Sequence, residues 1–370
     1  MTQQRSVFLL FVPSVLVLQF GTIVSAHNLN DSTEVDEDFS IQGEYVGSTR
    51  LNDQTLKVGM QLIAMGGGRF DAVMYEGGLP GAGWNQHQKW SFKGGRMDKT
   101  VELKNEQNRL VLKTAGEASK WTVSVHDADG QEVGQLRRTQ RVSPTMHAPP
   151  PAGAVVLFDG TLPINLTGAD VTDDGLLNVG ATTTDPVGSF QLHLEFRTPY
   201  LPEKRSQGRG NSGVYIQRRY EVQILDSFGL EGKPNECGGL YRQKSPDINM
   251  CLPPLLWQTY DIYFTAARFD ETKNKLDNAR ITVIHNGVTI HNDVEIKTKT
   301  GAGKPEGPEK LPILFQDHGN PVHFRNMWIV HHVDELQGDI QQFVRQPTTC
   351  NTIQPRVGWR IRRLRNRLRR

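Results

Sequence analysis

The chain is poor in cysteine, with Cys237, Cys251 and Cys350 the only three among 370 residues. No Cys-x-x-Cys occurs, which argues against a thiolate zinc site. Also missing are a Gly-x-Ser-x-Gly elbow, a His-Glu-x-x-His helix, a Walker loop and a Gly-x-Gly-x-x-Gly following a strand. Serine-hydrolase, zincin and nucleotide-binding chemistries therefore drop out as first readings. No internal run approaches 18 apolar residues, which excludes a polytopic helical membrane protein. No period of 20–50 residues marks a repeat array.

What the chain has instead is glycine and proline, 36 and 20 residues, in a sequence that is 37% apolar. That is enough apolar material for a core, and the turn-formers favour short strands over a helical bundle. At roughly 150 residues per domain the length allows two domains and terminal segments. The net charge of +2 hides an asymmetry: eight Arg and no acid lie between Arg356 and Arg370. Without that tail and Arg5 the body carries 33 bases against 40 acids. The protein reads as an acidic body with a cationic end.

Residues 1–26 read as a secretory signal peptide. Arg5 gives a sparse positive start, residues 7–20 are mostly apolar, and Val24-Ser25-Ala26 is a small-residue cleavage site. Export to the periplasm or beyond is the expectation. An exported chain permits a disulfide, and Cys237 and Cys251 are the expected pair, leaving Cys350 odd. Residues 27–38 are a polar lead-in. Residues 39–143 alternate short apolar runs with turns such as Gly66-Gly67-Gly68, as in a small all-β domain. Residues 144–153, with Pro149-Pro150-Pro151, read as a stiff linker.

A second domain is expected over residues 154–333. Phe190, Leu192, Leu194 and Phe196 share one strand face, and Gln191, His193, Glu195 and Arg197 the other. Asn286-Gly287 signals a type I′ hairpin. Many strands at short spacing indicate a β-sandwich or jelly roll. Residues 334–355 read as a polar linker. In the tail, 356–370, Val357, Ile361, Leu364 and Leu368 fall on one helical face among arginines. That pattern suits either an anionic membrane surface or a solvated cationic end.

Two polar clusters stand out. In Tyr220-Glu221-Val222-Gln223-Ile224-Leu225-Asp226, strand parity sends Tyr220, Val222 and Ile224 to the core and Glu221 and Gln223 to the opposite face. The Glu-x-Gln-x-x-Asp spacing echoes jelly-roll glucanases, whose paired carboxylates flank a glycosidic bond, with Asp226 as the second acid. The other cluster runs from Gln316 to Asn326. It sets His318 beside Asp317, and Gly319 and Pro321 fix a turn that lets Gln316, Asn320 and Arg325 converge. Imidazole next to carboxylate suits acid–base work near neutrality. No cofactor is demanded. A divalent cation on Asp, His and Asn fits the residue types, though no spacing requires one. Tyr215, Tyr241 and Trp257 are either sugar platforms or core.

On these clusters, together with Gly210-Asn211-Ser212-Gly213-Val214-Tyr215, Trp257-Gln258-Thr259-Tyr260-Asp261 and Asn286-Gly287-Val288-Thr289-Ile290-His291, the second domain resembles the 3-keto-disaccharide hydrolase domain family. The resemblance covers about residues 154–332. It implies a concanavalin A-like jelly roll acting on oxidised glycosides, with oligosaccharide or glycoside as substrate and no nucleic acid. It also implies proton abstraction at C2 of a 3-keto sugar, β-elimination of the C1 substituent, and hydration. Glu221 and His318 are then the candidates for base and acid, in either order. Arg325 or a cation is the enolate stabiliser, and Asn211, Tyr215, Gln223, Gln316 and Asn320 are substrate contacts. A non-catalytic carbohydrate-binding module is the alternative, because this fold also serves lectins.

Overall fold

A computed structural model describes residues 35–51, 54–105, 110–116, 120–161, 163 and 165–332. The leader, Cys350 and the arginine-rich tail lie outside them. Among the described residues, the regular elements besides a turn of helix at Glu37–Ile41 and 3-10 turns such as Ser206–Gly208 are strands.

Eight antiparallel strands, from Gly43–Leu51 to Glu132–Thr139, form a closed barrel in which each pairs with its chain neighbour and the last returns to the first. The small all-β domain is therefore a barrel. Period-two alternation fills it: Phe70, Ala72 and Met74 of one strand point inward, as do Val123 and Val125 of another. Closure also removes the exposed edges that an open sheet of this size would present.

The second unit is a two-sheet sandwich, as expected for a jelly roll. One sheet has the order Leu166–Thr167, Thr182–Thr183, Leu314–Phe315, Ser212–Ile216, Tyr220–Ile224. The other is seven-stranded and centres on His323–His331, Phe190–Arg197, Gln258–Thr265 and Ala279–His285. Phe190, Leu192, Leu194 and Phe196 from the larger sheet meet Val214, Tyr220, Val222 and Ile224 from the smaller in one core. The Asn286-Gly287 turn is present, with φ of 50° and 79°, between paired His285 and Val288. Gly287 has a second reason to lack a side chain, because a Cβ there would lie 2.3 Å from Pro144.

That contact adds to the reading of a stiff linker. The proline-rich segment is fastened to the outer face of the seven-stranded sheet. Ser143 and Thr145 bond Thr259, Thr145 donates to Asp261, and the His147 amide donates to Glu195 at 2.5 Å. The polar face of strand Phe190–Arg197 is consequently covered, and His193 and Glu195 are fully buried. Two of the buried groups there are paired: His193 with Asp261 at 2.6 Å, and Glu195 with Arg325 at 2.7 Å.

The barrel and the sandwich interlock. Ile63, on the outside of the barrel, joins the sandwich core, while Tyr200 and Leu255 of the sandwich join the barrel core. Arg141, just past the last barrel strand, is fixed to the barrel through a fully buried pair with Glu44 and a bond to the Pro80 carbonyl.

The Cys237–Cys251 disulfide is not formed. Both are free thiols in the sandwich interior, and Cys237 Sγ lies 3.2 Å from the Tyr260 hydroxyl. Burial together with the neighbouring Cys237 pushes the Cys251 thiol well above its ordinary range, which favours the protonated, unreactive form.

Candidate functional site

The smaller sheet turns its second face outward, and strand parity places the polar residues there. Tyr215 and Glu221 are direct register partners, as are Gly213 and Gln223. Gln316 continues from the neighbouring strand and docks its amide on the Gly213 carbonyl at 2.8 Å. Segment 238–241 pairs along the outer edge of strand Tyr220–Ile224, bonding Gln223 at both its backbone groups and the Glu221 carbonyl. Thr300 accepts the Glu221 amide proton at 2.7 Å. These two segments close over a patch that would otherwise be open sheet.

Glu221 is the buried titratable group of this patch. Only 2% of its surface is exposed. Burial raises its pKa to about 7, opposed by a hydrogen bond from the Tyr215 hydroxyl and by the charge of Arg242. A buried carboxyl that titrates near neutrality is poised to take or give a proton under ordinary conditions. Burial and the adjacent carboxyl together raise the Tyr215 phenol far above its usual range, so it stays a donor.

Around Glu221 runs a network of amides. Gln223 donates to Asn211 at 3.1 Å and to Gln207 at 3.2 Å, and Gln207 also accepts from Asn211 and from the Tyr241 hydroxyl. Asn320 accepts the Asn211 amide proton at 2.8 Å, so its side chain orients Asn211. Three buried oxygens have no partner: Glu221 Oε2, Gln223 Oε1 and Gln316 Oε1. Gly213 supplies the clearance between them, since a Cβ there would lie 2.6 Å from Glu221 Oε1 and 3.2 Å from Gln316 Oε1. Buried acceptors left unsatisfied cost free energy unless a ligand supplies donors.

Of the nine residues singled out in the sequence, the structure brings six together here: Glu221, Tyr215, Gln223, Asn211, Gln316 and Asn320. His318 is exposed in the turn between Gln316 and Asn320. Asp226 and Arg325 are placed elsewhere. Asp226 lies past the strand end and is held by Arg209 at 2.7 Å and by the Phe228 amide; this ion pair takes the place of the expected second carboxylate. Arg325 belongs to the other sheet, on the face away from the shared core. It pairs with Glu195 and lies 4.0 Å over the Trp257 ring, so it stands across the sandwich from Glu221 and cannot serve an enolate there. Among the described residues, no three of His, Cys, Asp and Glu gather as metal ligands.

Three participants escaped the sequence reading. Gln207 and Thr300 come from loops with no pattern of their own. Arg242, the cation whose field reaches Glu221, stacks 5.3 Å from the Tyr241 ring. Its backbone is left-handed at φ 60°, an uncommon state for a non-glycine residue that often accompanies function.

A family model described as the 3-keto-alpha-glucoside-1,2-lyase-like domain matches residues 80–330, from within the barrel to the last strand of the sandwich. Three crystal structures of candidate glycosyl hydrolases from Parabacteroides distasonis are also similar. One is 34% identical, covering 49% of this chain and 85% of that chain at a TM-score of 0.44. A second is 19% identical over 49% and 95% at 0.37, and a third 22% identical over 48% and 99% at 0.34. The comparison with curated proteins gives no match.

Proposed function

The chain belongs to the 3-keto-α-glucoside 1,2-lyase-like family, and from that premise we propose that it cleaves 3-keto-glycosides by elimination across C1 and C2, followed by hydration. Family membership makes the activity a glycoside-directed hydrolysis or elimination. The finer reading rests above all on one observation: a single buried carboxyl, Glu221, whose pKa lies near 7 and whose Oε2 has no partner. Among the described residues, the expected second carboxylate, Asp226, is paired with Arg209 instead. A glycosidase working by the two-carboxylate route needs both, whereas abstraction of an acidic C–H needs one base and a stabilised enolate.

In this reading the Glu221 carboxylate takes the proton from C2, which the C3 ketone acidifies. The C2–H electrons pass into the enolate, and the C1–O bond then breaks. The departing oxygen takes its proton from the Tyr215 hydroxyl, which recovers one from Glu221 along their hydrogen bond, so no net charge is created. Arg242 stabilises the negative charge on the enolate oxygen. Gln223 and Gln316 accept protons from sugar hydroxyls, held in place by Asn211, Gln207 and Asn320. Water adds at C1 of the resulting enone and gives the free 3-keto sugar.

The test is turnover of methyl 3-keto-glucoside against methyl glucoside. Cleavage of the keto sugar alone is the expected result. Cleavage of both at similar rates would contradict it, and tight sugar binding without any cleavage would favour a lectin-like module.

A further inference from the structure

Segment 297–310, which closes on the Glu221 strand through Thr300, carries four lysines and two glutamates. Both glutamates are engaged. Glu306 is held by Lys275 at 2.7 Å and by the Tyr220 hydroxyl, and Glu309 lies between Arg219 and Lys273. Lys299 and Lys304 are exposed, and among the described residues neither has a carboxylate partner. Arg218, half-buried in the turn between the Tyr215 and Glu221 strands, is a third such cation. Its carbonyl accepts from the Lys304 amide at 2.8 Å, which sets the two residues side by side. This surplus is not the character of the chain as a whole, since the body has 33 bases against 40 acids.

The cations stand on one side of the reacting centre. The Ala302 amide bonds the Tyr215 hydroxyl, the group that protonates the departing oxygen in the function proposed above. Lys304 follows two residues on, at most about 7 Å along an extended chain. Lys299 Nζ is fixed 2.8 Å from the Gly301 carbonyl. Gly301 is packed against the patch, because a Cβ there would lie 3.5 Å from Glu221 Oε2 and 2.7 Å from the Tyr241 ring. Both lysines therefore rise from the lip beside the departing oxygen. The ring being cleaved meets hydrogen-bond acceptors, and the group leaving it meets positive charge.

Resting on the function proposed above, we infer that the leaving group is anionic, a sugar bearing a carboxylate or a phosphate, and that Lys299, Lys304 and Arg218 hold its charge. An ammonium is a point charge without the fixed fork of a guanidinium, so the two lysines select for charge more than for shape. A cationic lip on an acidic body also steers an anionic substrate to this one place. Binding of the remote charge then adds to the reaction at C1.

The test uses the full chain and three 3-keto-disaccharides of one linkage, with glucose, glucuronate or glucose 6-phosphate as the leaving sugar. At low salt one of the acidic compounds should exceed the neutral one about tenfold in kcat/KM, the range of two exposed ion pairs, and the better of the two identifies the group. The preference should disappear near 1 M salt, where the Debye length shrinks to about 3 Å. Lys299→Gln combined with Lys304→Gln should bring the acidic-to-neutral ratio close to one. Lys304→Gln alone replaces the pair if the double variant fails to fold, and should cut the ratio about threefold. A native ratio below about two, a ratio unmoved by the variants, or equal losses on all three substrates would overturn the assignment. If none of the three is cleaved, the failure lies with the proposed reaction, and calorimetry with the corresponding unoxidised disaccharides decides the lip separately. Tighter binding of an acidic disaccharide that the double variant removes supports the subsite, and equal binding of all three refutes it.

Discussion

Glu221→Gln should abolish most turnover and, at the same time, make the protein more stable in alkaline solution. Loss of a general base costs about 10²–10⁴ in rate. The stability gain follows from the same burial that makes the group reactive. Glu221 has a pKa near 7 in the fold against an ordinary value of 4.5, so the folded state holds its proton more tightly than the unfolded chain. Stability therefore falls as pH rises between those two values, and above 7 the buried charge costs about 3 kcal/mol. Glutamine carries no charge at any pH. Urea unfolding at pH 8 should show Glu221→Gln more stable than the native chain by up to that amount, and the gap should vanish at pH 4.5. A variant less stable at pH 8, or one with turnover within tenfold of the native enzyme, would make Glu221 a structural residue. The rate of the native enzyme should rise with pH through about 7 and then level off, because only the carboxylate accepts a proton. The Arg242 charge lowers the Glu221 pKa, so Arg242→Met should move that rise to higher pH.

Acid should destabilise the sandwich through two histidines that take no part in the proposed chemistry. Burial holds His285 at a pKa of about 3 and His291 at about 4, from an ordinary value of 6.5. Both stay neutral in the fold while the unfolded chain binds their protons below pH 6.5, so stability falls with pH through that window. Between pH 7.5 and 4.5 each costs about 3 kcal/mol, and protonation of Glu221 returns about 3. The native protein should therefore lose about 3 kcal/mol over that range. His285 packs 4.8 Å from the Tyr260 ring and 5.8 Å from Phe196, in a pocket that suits another ring. His285→Phe should remove about 3 kcal/mol of acid dependence and leave the two pH values nearly equal in unfolding free energy. An unchanged acid loss in the variant would place its cause elsewhere.

What could be read from the sequence was local. Period-two alternation placed Phe190 to Phe196 in the core and put Glu221 and Gln223 on the opposite face from Val222, because a strand has only two sides. Asn286-Gly287 declared its turn through a left-handed backbone that few other residue pairs accept. Partners brought from far along the chain were not legible. Asp226 is neutralised by Arg209, and Arg325 by Glu195, across 130 positions, and nothing in either cluster announced those pairs. The linker read only as stiff, because the hydrogen bonds that fasten it run to Thr259, Asp261 and Glu195 in other strands. Closure of the first domain into a barrel depends on the pairing of its first strand with its last, which turn residues do not encode. Gln207 and Arg242 were invisible for the same reason: each acts through residues that only the folded chain brings near.

The central claim is that Glu221 takes a proton from carbon, and the fate of the hydrogen at C2 tests it most directly. Methyl 3-keto-glucoside carrying deuterium at C2 should react more slowly than the protiated compound. Deuterium should also be replaced by solvent hydrogen in the sugar product, because elimination breaks that bond before water adds. Cleavage at an equal rate, with all the deuterium retained at C2, would mean direct displacement at C1 and would contradict the account.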